Sequence, residues 1–294
     1  MCLEALAKMA PLMHPLVVDN ASSDQTLELV RDWPGVTVLA NRENRGFAAA
    51  ANQGIRATDS ELLLLLNPDV KILTPVDELE RASRQYGLAG GRLVDSEGRD
   101  QKGFTIRRFP TPAALIFEIL GLNRIWPSNP VNRKYRYLDR SLDHPGPVEQ
   151  PAGAFLMFRR DVWEDLGGLD ESFFPIWFED VDFCCRAKTA GFRTEYVPSV
   201  VAEHGGGHSI RHLPQGCRAV FWCDSLLTYA AKHFRSMAYR AVCLAVVLTS
   251  VPRMVAGMIR ERSLLPIAGY IKIVRFAARR LLSVRGVPPA SQES

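Results

Sequence analysis

E-L-L-L-L-L-N-P-D-V, from Glu61 to Val70, is the stretch on which the fold turns. A short continuous apolar run closed by turn residues reads as a strand buried on both faces, the pattern of a parallel sheet covered by helices. Asn67, Pro68 and Asp69 then end the strand. In open parallel sheets, ligands bind at the carboxyl ends of strands. A carboxylate placed there can hold a divalent cation against a diphosphate, because Mg²⁺ is usually held by one or two carboxylates plus substrate phosphates. Asn-Pro-Asp is also good turn chemistry, and on its own the tripeptide favours a plain turn.

Outward from this strand, short apolar runs alternate with helical patterns. Leu16–Asp19 and Val36–Ala40 read as strands. Asp24 is placed to cap a helix running to about Arg31, and Gly46–Ala57 is Ala-rich and helical. A helix over Pro75–Gln85 and a strand over Leu88–Leu93 continue the alternation, which implies a mostly parallel sheet covered on both sides. Asp95–Gln150 breaks it. Rich in Pro, Arg, Asn and Tyr, with periodicity only over Ala113–Leu122, it reads as a long surface excursion and a mobile substrate loop. Order resumes with a strand at Gly153–Phe158, a helix at Asp161–Leu166 closed by Gly167-Gly168, and a helix at Val181–Ala190. Short strands follow at Thr194–Val197 and Val200–Glu203, and the chain reads as helical from about Arg218.

Four further stretches carry chemistry. V-D-N-A-S-S-D (Val18–Asp24) puts Asp19 and Asn20 at a strand end, where a carboxylate can accept from a nucleobase or ribose; a strand end followed by a cap explains them equally well. In N-R-E-N-R-G-F-A-A-A-A-N-Q-G (Asn41–Gly54), Arg45 and Gly46 precede a helix whose N-terminus favours an anion. No Gly-rich dinucleotide or phosphate loop occurs anywhere in the chain. F-F-P-I-W-F-E-D-V-D-F-C-C-R (Phe173–Arg186) sets Glu179, Asp180 and Asp182 beside aromatic rings. Asp182 and Arg186, spaced i,i+4, are expected to pair on the surface. Glu179 is explained in part by its place at a helix start. Asp180, next to Trp177 and Phe178, has less excuse, and apolar surroundings make a carboxylate a better base. E-H-G-G-G-H-S (Glu203–Ser209) is a flexible loop or, through His204, a metal ligand.

The 294 residues are 47% apolar and 23% charged, which suits one large domain with an appendage. Six cysteines without a C-x-x-C pair point to reduced thiols and a cytoplasmic setting. M-C-L-E-A-L-A-K-M-A is too short, and carries Glu4, for a secretory signal. The net charge of +4 is uneven. From Lys232 to Arg285 there are 11 Lys and Arg, and beyond Ala231 the acids are Glu261 and Glu293 alone, leaving a body near −5 and a tail near +9. An acidic body argues against nucleic acid as the main partner. In the tail, Ala241–Val251 and Leu264–Val274 are short apolar runs flanked by bases, less than the roughly 20 residues of a span. They suit helices lying in an anionic membrane surface, with ordinary packing on the body as the plain alternative.

Taken together, these stretches resemble glycosyltransferase family 2. V-D-N-A-S-S-D, N-x-G-F-A-A-A-x-N-x-G (Asn44–Gly54), N-P-D, G-A-F-L-M-F-R-R, G-G-L-D-E-S-F-F, F-E-D-V-D-F-C-C-R and V-P-S-V-V-A-E-H-G-G-G stand in the family's order from about Ala5 to Ser209, closest to its rhamnosyltransferase-like branch. The resemblance implies a GT-A (Rossmann-like) α/β fold over residues 1–217; the basic helical membrane-associating tail over 218–294 rests on its charge and short apolar runs. It implies an inverting transferase moving a sugar from a nucleotide-diphosphate sugar, with dTDP-rhamnose as a candidate, to a lipid-linked or polysaccharide acceptor, with Mg²⁺ or Mn²⁺. The enzyme would sit in the cytoplasm, peripheral on the inner face of the plasma membrane.

By position, Asp180 would be the base, with Glu179 helping to place the acceptor beside Gly153, Ala154, Trp177 and Phe178. Asp19, Asn20, Asn44, Arg45, Gly46, Asn52, Asn67 and Asp69 would bind the donor. Asp69 and His204 would bind the metal, with Asn67 replacing the first acid of the commoner D-x-D. Relatives open with a strand followed by a helix containing C-L-E-S-L; here C-L-E-A-L starts at Cys2, so the strand at Leu16 is expected to have an unpaired edge. A non-catalytic remnant of the same family would share these stretches. A nucleotide-dependent oxidoreductase on a similar sheet would need the Gly-rich loop that is absent.

Overall fold

A computed structural model describes residues 2–206, 215–261 and 265–282. The elements run α1 (Cys2–Met9), β1 (Leu16–Asp19), α2 (Thr26–Arg31), β2 (Thr37–Ala40), α3 (Phe47–Arg56), β3 (Leu62–Leu66), β4 (Val70–Ile72), α4 (Asp77–Tyr86) and β5 (Gly87–Val94). Next come β6 (Ile106–Arg107), α5 (Pro112–Ile119), α6 (Leu122–Ile125), α7 (Pro130–Tyr135), β7 (Gly146–Val148), β8 (Gln150–Pro151) and β9 (Phe155–Arg159). The chain ends with α8 (Arg160–Asp165), α9 (Glu179–Thr189), β10 (Arg193–His204), α10 (Gln215–His233), α11 (Ser236–Glu261) and α12 (Leu265–Leu282).

The main sheet has the order β3-β9-β5-β10-β4, with β7 also on β10. It is mixed: β10 runs parallel to β5, while β9 is antiparallel to both β3 and β5, and β4 and β7 are antiparallel to β10. Strands β1 and β2 pair in parallel as a separate two-stranded sheet. Strand β9 shows why the main sheet is a middle layer. Phe155 and Met157 face a core shared with Leu6 of α1 and Leu79 of α4, while Leu156 and Phe158 face a second core with Ile55 of α3, Val162 of α8 and Phe183 of α9. Four successive side chains are thus buried by period-2 alternation, each worth about 1.5–3 kcal/mol.

Three expectations are corrected. The leucine run forms a strand, but β3 is the edge of its sheet: only Leu63 is fully buried and the other four leucines are partly buried. The two short strands at Thr194–Val197 and Val200–Glu203 are one strand, β10, whose pairing with β5 shifts register between Val197 and Val201, where Pro198 cannot donate to a ladder. The excursion at Asp95–Gln150 carries its own helices, and Ile106, Tyr137, Leu142 and Val148 form a small core with Tyr196.

Two compact units result. One comprises Met1–Phe109, Arg136–Pro175 and Glu179–His208; the other comprises Pro110–Tyr135, Ile176–Phe178 and Ser209–Ser294. The helical unit therefore takes in more than the tail expected from residue 218. Within it, α11 continues through Pro252, so Ser236–Ile259 is one helix long and apolar enough to cross a membrane, where the sequence suggested only a short run.

Candidate active site

The carboxyl ends of β3 and β10 lie on one edge of the sheet, since both strands run parallel to β5. After β3, Asn67 to Val70 is a tight turn, closed by the Val70 amide donating to the Asn67 carbonyl at 3.1 Å. The turn carries Asp69 toward β10. Strand β4 pairs with the end of β10 so that Val70 stands opposite His204. The Gly205 amide donates to the Asp69 carbonyl at 3.0 Å, and His204 Nε2 lies 3.7 Å from Asp69 Oδ1. Both side chains are close to buried, at 6% and 11% exposure. Burial holds His204 below its ordinary pKa, with the Asp69 carboxylate pulling the other way.

A neutral imidazole and a carboxylate that face each other suit a divalent cation. Among the described residues, no group of three or more His, Cys, Asp and Glu gathers as a metal site. An ion here would therefore take its other ligands from phosphate and water, as Mg²⁺ commonly does. Gly207, His208 and Ser209 of the glycine loop lie outside the described residues.

Asp180 sits in the first turn of α9, where the helix dipole favours negative charge. Its Oδ2 accepts from the Gly153 amide at 2.9 Å and from Gln150 Nε2 at 3.3 Å, and its Oδ1 accepts from the Val181 amide at 2.8 Å. Gly153 is required for this approach: a Cβ there would lie 2.7 Å from Asp180 Cβ. Glu179 is buried beside it in the chain. The residues just before α9 are backbone outliers. Trp177 and Phe178 have φ of 82° and 70°, a region costly for bulky side chains, with about 1–3 kcal/mol of strain each. Both belong to the helical unit, where Phe178 packs on Tyr229 with ring centroids 5.5 Å apart.

At the end of β1, Asp19 is 5% exposed and its Oδ1 has no hydrogen-bond partner. Leaving a carboxylate oxygen buried and unpaired is costly, so this atom is poised for a ligand's donor. The exposed Asn44 and Arg45 lie in the adjoining loop.

Several expected roles do not fit the geometry. Asn52 is 1% exposed and fully spent: its amide nitrogen donates to the Leu169 carbonyl and Glu171, and its oxygen accepts from Trp163 Nε1 and the Leu169 amide. Two donors and two acceptor sites are all an asparagine has, so Asn52 is a structural bolt and not a donor contact. Asn20 is spent the same way, on Asn44, the Gly46 carbonyl, Asn41 and the Arg45 amide; it shapes the loop after β2. Gly46 is buried with φ 84° and lets the Phe174 ring approach within 2.9 Å of where a Cβ would be. Its amide is taken by Asn44 Oδ1 and the Phe47 amide by the Pro175 carbonyl, so the start of α3 offers an anion less than expected.

Gly153 and Ala154 are buried. They hold Asp180 and, through the Ala154 carbonyl, the Asn67 amide, rather than offering surface to an acceptor. Asp182 does pair with Arg186, at 2.7 Å, but it is fully buried, and Arg186 also donates to the carbonyls of Leu166 and Gly168. Sequence reasoning missed Gln101 and Phe104, which hold His204, and Gln150, which touches Asp180. Lone glutamines outside any spacing pattern carry no signal.

Comparison with known proteins gives the family. The model of glycosyl transferase family 2 matches residues 1–167, and that of glycosyl transferase family group 2 matches residues 134–276. The low-salt glycan biosynthesis hexosyltransferase Agl10 of Haloferax volcanii is 30% identical over 64% of this chain; the match spans 58% of that protein. The N-acetylglucosaminyl-diphospho-decaprenol L-rhamnosyltransferase of Mycobacterium tuberculosis is 30% identical over 74% of this chain and 75% of its own. Among solved structures, the mannosyltransferase PcManGT of Pyrobaculum calidifontis, in complex with GDP-Man and Mn²⁺, is similar over 95% of this chain and 81% of its own, with a TM-score of 0.52 at 15% identity. That likeness shows the shared fold, the GT-A arrangement.

Proposed function

Because this chain belongs to glycosyl transferase family 2 and is a glycosyltransferase, we propose that it moves a sugar with inversion from a nucleotide-diphosphate sugar to a lipid-linked acceptor. The observation that carries this reading is Asp180, held at a helix start by the Gly153 amide in a niche only glycine allows. Asp180 takes the proton from the acceptor hydroxyl as that oxygen bonds to the anomeric carbon. The bond from that carbon to the diphosphate oxygen breaks, and its electron pair leaves with the nucleoside diphosphate. A single displacement inverts the anomeric carbon.

Asp19 receives a hydrogen bond from the nucleoside through Oδ1. Asn44, Arg45 and Asn67 line the donor side. Asp69 and His204 would hold a Mg²⁺ or Mn²⁺ ion, which would supply positive charge against the donor's diphosphate. The rhamnosyltransferase relative makes dTDP-rhamnose the first donor to try and a polyprenyl-diphosphate sugar the first acceptor.

An anionic membrane surface on the cytoplasmic side completes the reading. Within the helical unit, α11 buries Val242, Cys243 and Val246 and leaves Leu244, Leu248, Val251, Val255 and Ile259 exposed, one apolar face. Helix α12, packed against it, exposes Lys272, Arg275 and Arg279 at i, i+3 and i+7. An apolar face beside a basic stripe suits a helix lying in an anionic interface. The direct test of the reaction is to screen nucleotide sugars by thermal shift with Mn²⁺, then read the product's anomeric configuration by NMR. Inversion relative to the donor is expected; retention would refute the single displacement.

A further inference from the structure

The sequence offered no role for Gln101, yet the structure wraps it around His204. Gln101 Nε2 donates to the His204 carbonyl at 2.8 Å, and Gln101 Oε1 lies 3.1 Å from His204 Nδ1. The first bond fixes which way the amide faces. An amide oxygen can only accept, so Nδ1 must carry the proton, and in the neutral ring Nε2 is then bare. Phe104 stacks on the same imidazole, with centroids 4.9 Å apart and planes 7° off parallel, which fixes the ring's plane. Gln101 is itself anchored, its backbone N–H donating to the Leu93 carbonyl of β5 at 3.0 Å.

The consequence lies on the other side of the ring. Bare Nε2 points at Asp69 Oδ1 across 3.7 Å, too far for a hydrogen bond and with an acceptor at each end. Two facing acceptors repel unless a cation stands with them. We propose that Gln101 is a positioning residue, held with Phe104 against His204 so that Nε2 is presented unprotonated to a cation shared with Asp69. This rests on the reading of Asp69 and His204 as a metal pair and adds what makes His204 a ligand. Had Nδ1 faced an acceptor-free wall, the proton could sit on Nε2, satisfy Asp69 directly and close the site. Partners that hold the far nitrogen of a ligating histidine typically govern affinity by 10–100-fold.

The experiment uses the full chain with ¹⁵N-labelled histidine, first without metal, at about pH 8. Wild-type His204 should show the Nδ1–H tautomer in its ring ¹⁵N shifts. Gln101→Leu, or the unbranched Gln101→Met should leucine not fold, should move the ring toward Nε2–H. Gln101→Glu gives up the donor to the His204 carbonyl but keeps an acceptor for Nδ1, and should still hold the proton on Nδ1, which a loss of packing alone would not do. Mn²⁺ is then titrated in. Paramagnetic broadening of the wild-type His204 signals should need roughly 10–100-fold more Mn²⁺ in Gln101→Leu. A wild-type ring in the Nε2–H form, or a tautomer unchanged in Gln101→Leu, overturns the proposal. A wild-type Nδ1–H ring that Mn²⁺ leaves untouched would instead refute the metal pair, while Gln101's control of the tautomer would stand on the metal-free spectra.

Discussion

Gly153→Ala is the most informative small change in this molecule. The Gly153 backbone is in a conformation any residue adopts, so the effect is steric and not conformational. The added Cβ would lie 2.7 Å from Asp180 Cβ, 2.9 Å from Oδ2 and 3.1 Å from Cγ. Ordinary contact begins near 3.4 Å, so the Asp180 side chain must retreat by about 0.7 Å, on the scale of the ~1 Å misplacements that cost about 10²-fold. The retreat also lengthens the 2.9 Å hydrogen bond from the Gly153 amide, which aims the carboxylate. Overpacking of this kind costs about 1–3 kcal/mol of stability, leaving a folded protein to assay. In steady-state kinetics, kcat should fall about 10²-fold while the donor KM stays within a few-fold, as expected of the proposed base, which would act on the acceptor's proton only in the transition state. A folded Gly153→Ala enzyme within three-fold of wild-type kcat would refute the argument that Gly153 exists to seat Asp180.

Other outcomes follow from the same contacts. Asn52→Ala strands the Trp163 indole N–H and both Leu169 backbone groups, and should cost about 3 kcal/mol in urea unfolding while leaving donor affinity in the folded protein unchanged. Arg186→Ala removes the cation facing the buried Asp182 carboxylate and should cost about 3–5 kcal/mol, against near-neutral loss for an exposed pair such as Arg84–Glu61. Replacing Lys272, Arg275 and Arg279 together by Gln should weaken partition onto anionic vesicles by roughly 10²-fold, at about 1 kcal/mol per base, whereas Leu248→Glu should reduce binding to neutral and anionic vesicles alike. If full-length protein ignores both vesicle types in flotation, the membrane surface is not its partner.

How much of this was legible in sequence depends on how far each signal reaches along the chain. Strand β9 announced itself because G-A-F-L-M-F is buried on both faces, and the helix starting at Glu179 because its acids favour a first turn. Asp180 stood out because, of the three acids beside the rings, it had the least local excuse. What stayed hidden was set by distant partners. Asn52 looks like a ligand contact until Leu169, 117 residues away, consumes its amide. Asp182 looks like a surface ion until Arg186 is seen tying the Gly167-Gly168 turn. The edge position of β3 depends on which strand lies beside it, and composition cannot say that. Gln101 acts on a histidine 103 residues on, with no period or motif to mark it.

Asp180→Asn tests most directly the proposal that Asp180 removes the acceptor's proton. Asparagine keeps the size and can still accept from the Gly153 amide, but it cannot take a proton. With the donor found by thermal shift, the variant should show the wild-type shift with nucleotide sugar and Mn²⁺. Its kcat should fall by about 10²–10⁴, the share a general base supplies. Near-wild-type turnover with unchanged donor binding would contradict the account and move the base elsewhere.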